Sequence, residues 1–161
     1  LSNHPLDFHY VPSAMGEAPA LALGLALAKP HREVLVVNGD GGMLMNLGSL
    51  VTIVASGARN LTLVVLDNGI YEVTGGQRTA AACVPGGSVD FAAMATSAGF
   101  TSAIRFDELG AWRRGAPSAL ASPGPRLITL VVEPVGAAYH LEPPGPLAAR
   151  VAQFTAALAQ V

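Results

Sequence analysis

The order of apolar and polar residues predicts short strands that alternate with helices along the chain. Brief runs rich in Val, Leu and Ile indicate buried strands, whereas longer Ala- and Leu-rich runs indicate helices. The predicted strands are Val34–Val37, Leu61–Leu66, Thr101–Phe106 and Arg126–Glu133. The predicted helices are Glu17–Lys29, Met43–Ser56, Asp90–Gly99, Glu108–Ala121 and Leu147–Ala159. This alternation predicts an α/β fold with a central, mainly parallel sheet.

Residues at the element boundaries support these predictions. Pro30 ends the first helix, whose length and Ala content favour a helix although its Ala-Leu alternation could also suggest a strand. The stretch Gly69 to Ser88 has little periodicity and predicts a long loop, as does Gly136 to Pro146. Long loops of this kind are often functional, so the first one is a candidate part of a site.

The Gly-rich segment between the first strand and the next helix predicts a phosphate-binding turn. Gly39, Gly41 and Gly42 would allow a ligand to approach the backbone, and N–H groups at a helix start suit a phosphate. Asp40 would repel a phosphate unless a divalent cation lay between them, and an oxygen ligand suits Mg²⁺. A helix-capping role for Asp40 is the alternative.

A second polar turn follows the next strand. Asp67, Asn68 and Gly69 come after Leu61–Leu66, and Asn68 lies 28 positions beyond Asp40. Because neighbouring parallel strands end at one edge of a sheet, Asp40 and Asn68 are expected to meet there. Asn68-Gly69 alone is an ordinary turn signal, so the spacing is what makes Asn68 a candidate ligand.

This pair of turns resembles the cofactor motif of the thiamine diphosphate-dependent enzymes. The resemblance implies the three-layer α/β/α fold of that family, with thiamine diphosphate and Mg²⁺ as cofactors. It also implies that Asp40, Asn68 and the backbone carbonyl of Ile70 hold the metal, which in turn holds the diphosphate. The cofactor-binding residues implied in this way are Gly39, Asp40, Gly41, Gly42, Asn68, Ile70, Tyr71 and Thr74.

The segment after the second turn narrows the resemblance. Asp67 to Tyr71, running into Thr74-Gly75-Gly76-Gln77, resembles the phosphonopyruvate and sulfopyruvate decarboxylases, in particular the β subunit of the split enzymes. The resemblance extends from about Val11 to Arg78. Family members often carry Ser at the position of Gly42, whose hydroxyl meets the diphosphate. Backbone N–H groups can still bind there, so weaker binding is expected.

The resemblance also assigns catalytic positions to the turn Ser13-Ala14-Met15-Gly16. It implies that Met15 wedges between the two cofactor rings and that the carbonyl of Ser13 accepts a hydrogen bond from the cofactor amino group. The turn departs from the common family spelling at Ser13 and Ala14. Core packing is the alternative role for Met15.

Several other residues near these turns have two possible roles. Thr74 to Arg78 could form a lid over the cofactor or a plain surface loop, and Arg78 could meet a substrate anion. Asn46 could contact the diphosphate or lie on the helix surface. His9 could reach the site. Cys83 is interpreted as a passive small residue rather than a nucleophile.

Composition limits the classes of function. The 161 residues predict a single domain, residues 1–161, and a net charge of −2 with 12% charged residues argues against nucleic acid or a membrane surface as partner. The apolar fraction of 51% suggests that another subunit covers part of the surface, in a homo- or hetero-oligomer. The longest apolar run, Ala18 to Ala28, is too short to span a bilayer, and no signal peptide is visible. One cysteine and no leader predict a cytoplasmic location.

The resemblance implies a decarboxylase of 2-oxo acids that needs a second polypeptide or domain. In the family, a Glu on a pyrimidine-binding domain protonates the cofactor, and no counterpart of it is found in this chain. An acetolactate synthase-like carboligase is one alternative, because those enzymes share the motif. A non-catalytic α/β assembly partner is the other.

Overall fold

The computed structural model describes residues 4–9, 14–85, 88–135 and 145–160. The chain divides into two compact units. Met15–Pro134 forms the first, named here the sheet unit, and Leu1–Ala14 with Val135–Val161 forms the second, the terminal unit. Ser13 and most of the predicted loop Gly136 to Pro146 lie outside the described residues.

The sheet unit contains a four-stranded parallel sheet, as the alternating pattern predicts. Its strands stand in the order β1-β2-β6-β5, so the last strand in sequence lies inside the sheet. The four strands are β1 (Val34–Gly39), β2 (Leu61–Asp67), β5 (Ser102–Phe106) and β6 (Arg126–Val131). A separate antiparallel hairpin pairs β3 (Ile70–Tyr71) with β4 (Gln77–Arg78). All four predicted sheet strands are therefore confirmed.

Helices cover both faces of this sheet and make it the middle of three layers. The sheet-unit helices are α1 (Ala18–Ala28), α2 (Asp40–Met45), α3 (Gly48–Ser56), α4 (Phe91–Ala98) and α5 (Leu109–Ala121). Side chains of α1 to α4 pack with Leu61, Leu63 and Val65 of β2 in the main core. On the other face α5 packs against Val64 and Ile128, because successive strand residues point to opposite faces.

The terminal unit is organised around α6 (Leu147–Ala159), which the sequence predicts with these same bounds. The rings of Phe8 and Phe154 lie 5.0 Å apart between centroids. Arg150 donates from Nε to the Gly145 carbonyl oxygen at 3.1 Å and from a terminal nitrogen to the carbonyl oxygen of His9. These contacts join the two ends of the chain within this unit.

Two predictions about local structure are wrong. A single helix over Met43–Ser56 is replaced by two helices, with Asn46 and Leu47 between them, and the first begins at Asp40. The side chain of Asn46 donates to the carbonyl oxygen of Gly16 at 3.2 Å, and its backbone leaves the helical region. Within the predicted loop Gly69 to Ser88, the hairpin and two short 3₁₀ helices give regular structure.

None of the helices in the described ranges combines the length and the apolar character that a membrane span requires.

Candidate metal and cofactor site

The two polar turns meet at the carboxyl edge of the sheet. Strands β1 and β2 run parallel with Gly39 opposite Leu66, so Asp40, which follows β1, and Asp67, which ends β2, lie at the carboxyl ends of neighbouring strands. Burial is the main cause that raises the pKa of Asp67, and the charge of Asp40 raises it further. The sheet topology therefore places together the two halves of the motif that the sequence separates.

Among the residues expected to bind the metal, Asp40 has the environment that suits a metal ligand best. Its side chain is fully buried, and its Oδ2 atom accepts a hydrogen bond from the Thr79 hydroxyl at 2.7 Å. Its Oδ1 atom is buried and has no hydrogen-bond partner in the described part of the chain. A buried carboxylate oxygen without a partner is costly, and a bound cation would remove that cost. The residue thus fits a magnesium ligand.

The Asn68 turn is held in one conformation by several hydrogen bonds. Asn68 Oδ1 accepts from the backbone N–H of Ile70 at 3.0 Å, and Gly69 adopts a left-handed φ of +74°. The carbonyl oxygen of Gly69 accepts from the N–H of Thr79 at 2.9 Å. An amide oxygen has two lone pairs, so Asn68 Oδ1 can keep this bond and still coordinate a cation.

An ion pair anchors the residue before Asn68. Arg105 of β5 reaches across β6 to place a terminal nitrogen 3.1 Å from Asp67 Oδ2. Burial raises the pKa of Asp67 above its usual 3.8, the hydrogen bond from Arg105 lowers it in part, and the charge of Asp40 raises it again. The backbone carbonyl of Asp67 accepts from Val132 N–H at 3.1 Å. Both the side chain and the backbone of Asp67 are therefore fixed.

The raised pKa of Asp67 predicts a pH dependence of stability. As the pH rises, the Asp67 carboxyl loses its proton near its usual pKa of 3.8 in the unfolded chain, but only at a higher pH in the folded protein. The folded state then binds more protons, so the free energy of unfolding falls as the pH rises through that window. An asparagine at position 67 does not titrate, so Asp67→Asn should remove the contribution of this residue to the change in the free energy of unfolding with pH. Urea unfolding of both proteins between about pH 4 and pH 6 measures this contribution. If the free energy of unfolding changes with pH equally in both proteins, the raised pKa of Asp67 is contradicted.

Two glycines of the motif leave space that neighbouring side chains occupy. A Cβ atom at Gly41 would lie 2.5 Å from Cδ1 of Tyr71, and one at Gly42 would lie 2.6 Å from Oδ1 of Asn38. A Cβ at Gly39 would meet no atom within 4 Å. Gly41 and Gly42 belong to the first turn of α2, where the sequence predicts a turn before the helix. The absence of side chains thus brings Tyr71 and Asn38 against this helix.

The contact of Asn38 with Gly42 predicts that substitutions at these two positions have coupled effects on the free energy of unfolding. Gly42→Ala should lower the free energy of unfolding by about 1–2 kcal/mol, because the Asn38 amide must move. In the double variant with Asn38→Ala the obstruction is gone, so the two losses should not add. Asn38→Ala alone is the control. In the wild-type chain the Nδ2 atom of Asn38 is buried without a partner in the described residues. Additive losses in urea unfolding would show that this contact carries no energy.

The Met15 turn lies against the end of α2. Met15 is 55% exposed, and a Cβ at Gly16 would lie 3.0 Å from Cβ of Met45. Asn46 donates to the Gly16 carbonyl, so its amide joins the two segments. Exposure is inconsistent with the core-packing alternative for Met15. Ser13 lies outside the described residues, and His9 belongs to the terminal unit.

The segment Thr74 to Arg78 forms the exposed end of the β3–β4 hairpin. The Thr74 hydroxyl donates to Gln77 Oε1 at 3.2 Å, and Gln77 Nε2 donates to the carbonyl oxygen of Thr74 at 2.8 Å. Arg78 donates to the carbonyl oxygen of Ala82. Val73 at the tip is 92% exposed. The hairpin begins at Ile70, whereas the hydrogen bonds between Thr74 and Gln77 are local to its tip.

The sequence prediction missed three residues that support the site. Thr79 binds Asp40, Arg105 binds Asp67, and Asn38 packs beside Gly42. No spacing rule relates Thr79 or Arg105 to the motif. Asn38 ends the apolar run of β1, and a polar residue at the carboxyl end of a buried strand is a usable signal.

Within the described residues, no three His, Cys, Asp or Glu side chains are grouped so that they could hold a metal ion. The site expected from the sequence consists instead of one carboxylate, one amide oxygen and one backbone carbonyl. Such oxygen donors suit Mg²⁺, which keeps several water ligands and binds few protein groups.

Comparison with known proteins identifies the class to which this fold and site belong. Residues 2–130 match the family described as thiamine pyrophosphate enzyme, C-terminal TPP binding domain, where thiamine pyrophosphate is another name for thiamine diphosphate. The chain belongs to this family. The predicted family and fold are therefore confirmed.

Individual relatives narrow the comparison. The chain is 42% identical over 125 residues to a phosphonopyruvate decarboxylase of Streptomyces viridochromogenes, covering 78% of this chain and 30% of that protein. It is 42% identical over 126 residues to the sulfopyruvate decarboxylase subunit beta of Methanothermobacter thermautotrophicus, covering 78% of this chain and 62% of that subunit. The chain thus spans less than two thirds of either relative.

A solved structure shows the same fold. A protein from Mycobacterium smegmatis, described as a thiamin diphosphate-dependent enzyme, superimposes with a TM-score of 0.60 at 23% identity. The match covers 76% of this chain and 23% of that one. At this identity the similarity supports the fold alone.

Proposed function

We propose that this chain is a subunit or domain of a thiamine diphosphate- and Mg²⁺-dependent decarboxylase of 2-oxo acids, of the sulfopyruvate or phosphonopyruvate type. The observation that carries the proposal is the buried Oδ1 atom of Asp40, which has no partner in the described residues and lies at the sheet edge shared with the Asn68 turn. The names of the two decarboxylase relatives support the substrate class.

Three oxygen atoms would hold the metal. They are Oδ1 of Asp40, Oδ1 of Asn68 and the carbonyl oxygen of Ile70. The backbone of Gly39 to Gly42 would bind the diphosphate, and the open space at Gly39 supports close approach of a ligand. We assign Tyr71 and Thr74 to the same cofactor site. When bound, thiamine diphosphate would supply the carbanion stabilisation that decarboxylation requires.

Met15 is the residue we assign to shape the cofactor. Its exposure leaves the side chain available to a ligand, and the hydrogen bond from Asn46 to Gly16 fixes the following turn against α2. A bulky apolar side chain there would hold the two cofactor rings at an angle. The carbonyl of Ser13 would accept from the amino group of the pyrimidine.

The activity would need a partner with a pyrimidine-binding domain. One relative is itself named subunit beta, which supports a multi-subunit enzyme. Large apolar side chains are exposed on α1, β1 and α2, and a partner would bury such surface. The most exposed of them are Leu27, Leu35, Val37 and Met45. We place the complex in the cytoplasm, a reducing compartment that suits the exposed free thiol of Cys83.

Co-purification followed by assay tests the proposal. The polypeptide that binds this chain would be identified, and the pair supplied with thiamine diphosphate, Mg²⁺ and a panel of sulfopyruvate, phosphonopyruvate and pyruvate. We expect the pair to release CO₂ and an aldehyde from either sulfopyruvate or phosphonopyruvate, and to show no activity without Mg²⁺.

Two results would replace the proposal. A product in which two pyruvate molecules are joined after loss of CO₂ would indicate a carboligase. A pair that binds neither thiamine diphosphate nor Mg²⁺ would indicate an assembly partner without catalysis.

A further inference from the structure

Thr79 connects the two halves of the cofactor motif through separate groups. Its hydroxyl donates to Asp40 Oδ2 at 2.7 Å, and its backbone N–H donates to the Gly69 carbonyl oxygen at 2.9 Å. Its own carbonyl oxygen accepts from Ala82 N–H at 3.1 Å. The side chain is fully buried. Thr79 therefore fixes the position of Asp40 relative to the turn that contains Asn68.

The hydroxyl of Thr79 makes the two carboxylate oxygens of Asp40 different. Oδ2 has a short hydrogen bond to this hydroxyl, whereas Oδ1 is buried without a partner in the described residues. The hydrogen bond from Thr79 uses part of the acceptor capacity of Oδ2 and holds the carboxylate in place, whereas all the lone pairs of Oδ1 remain free for a metal. The geometry thus makes Oδ1 the preferred oxygen of Asp40 for a metal.

The number of carboxylate oxygens offered to a cation affects which cation is preferred. Mg²⁺ requires near-ideal octahedral geometry and short bonds, and takes one oxygen from each of one or two carboxylates. Ca²⁺ is larger, accepts six to eight ligands and readily binds a carboxylate through both oxygens. A carboxylate that offers one preferred oxygen therefore favours the smaller ion.

We propose that Thr79 is a positioning residue that sets the metal preference of the site, by holding Asp40 as a one-oxygen ligand and so favouring Mg²⁺ over Ca²⁺. This inference rests on the proposed function, because it requires that Asp40 binds the metal of the cofactor. It adds to the site a residue that acts through Asp40.

Two substitutions separate the hydroxyl from the shape of the side chain. Thr79→Val keeps the shape and removes the donor, whereas Thr79→Ser keeps the donor and removes a methyl group. The affinity for thiamine diphosphate would be measured by calorimetry with Mg²⁺ and with Ca²⁺, using the chain with its co-purified partner. Unfolding by urea would verify that each variant is folded.

We expect Thr79→Val to lower the Mg²⁺-supported affinity by about 10–100-fold, the range typical for groups that orient metal ligands. The Ca²⁺-supported affinity should fall less, so the preference for Mg²⁺ shrinks, and Thr79→Ser should retain the wild-type preference. If the valine variant does not fold, Thr79→Ala carries the same expectation without placing a methyl group against the Asp40 carboxylate.

Several outcomes would overturn the inference. One is an unchanged ratio of the Mg²⁺-supported to the Ca²⁺-supported cofactor affinity in Thr79→Val or Thr79→Ala. Another is a change of equal size in this ratio in Thr79→Ser. Asp40→Ala distinguishes this failure from failure of the proposed function. If wild type binds the cofactor with metal and Asp40→Ala does not, the function stands and only the role of Thr79 is lost. If wild type shows no metal-dependent binding, both are wrong.

Discussion

Replacing Asp40 by alanine should abolish the Mg²⁺-dependent binding of thiamine diphosphate. The substitution removes the only atom of this side chain that is buried without a partner, Oδ1, together with the negative charge that would attract the cation. We expect the affinity in the presence of Mg²⁺ to fall by at least about 100-fold, more than for a group that only orients a ligand. Calorimetric titration of the cofactor, with Mg²⁺ and with a chelator, measures the loss.

The fold should survive this substitution. Asp40→Ala leaves the Thr79 hydroxyl without its acceptor, which costs stability, but it also removes a buried charged oxygen that lacks a partner. Asp40→Asn, which keeps the shape, is the matched control for packing. Both variants should unfold cooperatively in urea. Metal-dependent binding that persists in both folded variants would exclude Asp40 as a ligand.

The sheet and its helices could be predicted from the sequence because their signals are local. Alternating apolar runs gave the four strands, and Asp90 and Gly99 marked the ends of α4. In the structure Asp90 Oδ1 accepts from Ala93 N–H at 2.9 Å, and Gly99 has a left-handed φ of +102°. Such caps involve residues within one helical turn, so a single sequence contains them.

The contacts that complete the site could not be predicted, because they join residues distant in sequence. Thr79 reaches Asp40 across 39 positions, and Arg105 reaches Asp67 across 38. The break between α2 and α3 has the same origin, since Asn46 donates to Gly16, 30 positions earlier. Periodicity carries no information about these pairs. They depend on the order of strands in the sheet and on the hairpin that follows β2.

These distant contacts hold the two glycine-containing turns of the candidate site in place. Gly69 has a left-handed backbone, and glycines surround Asp40. Each turn is nevertheless tied down from outside: the Asp40 carboxylate by Thr79, and Asp67 by Arg105. Gly41 and Gly42 admit the side chains of Tyr71 and Asn38, while Thr79 and Arg105 supply fixed geometry of the kind that the proposed metal site would need.

Gly41→Ala should damage both stability and cofactor binding, although alanine is the better helix former. A Cβ at this position would lie 2.5 Å from Cδ1 and 2.6 Å from Cε1 of Tyr71, closer than packed carbon atoms allow. The ring must move, and with it the neighbouring Ile70, whose carbonyl is a proposed metal ligand. We expect a loss of about 1–3 kcal/mol in the free energy of unfolding and weaker binding of thiamine diphosphate with Mg²⁺.

Two further variants identify steric contact with Tyr71 as the cause. Gly24→Ala is the control, because Gly24 lies in α1 and a Cβ there meets no atom within 4 Å. It should raise the free energy of unfolding by up to about 1 kcal/mol through helix propensity alone. Adding Tyr71→Leu to Gly41→Ala makes room for the methyl group and should recover part of the lost stability. If the double variant is as unstable as the sum of the single ones, the ring is not what excludes a side chain at Gly41.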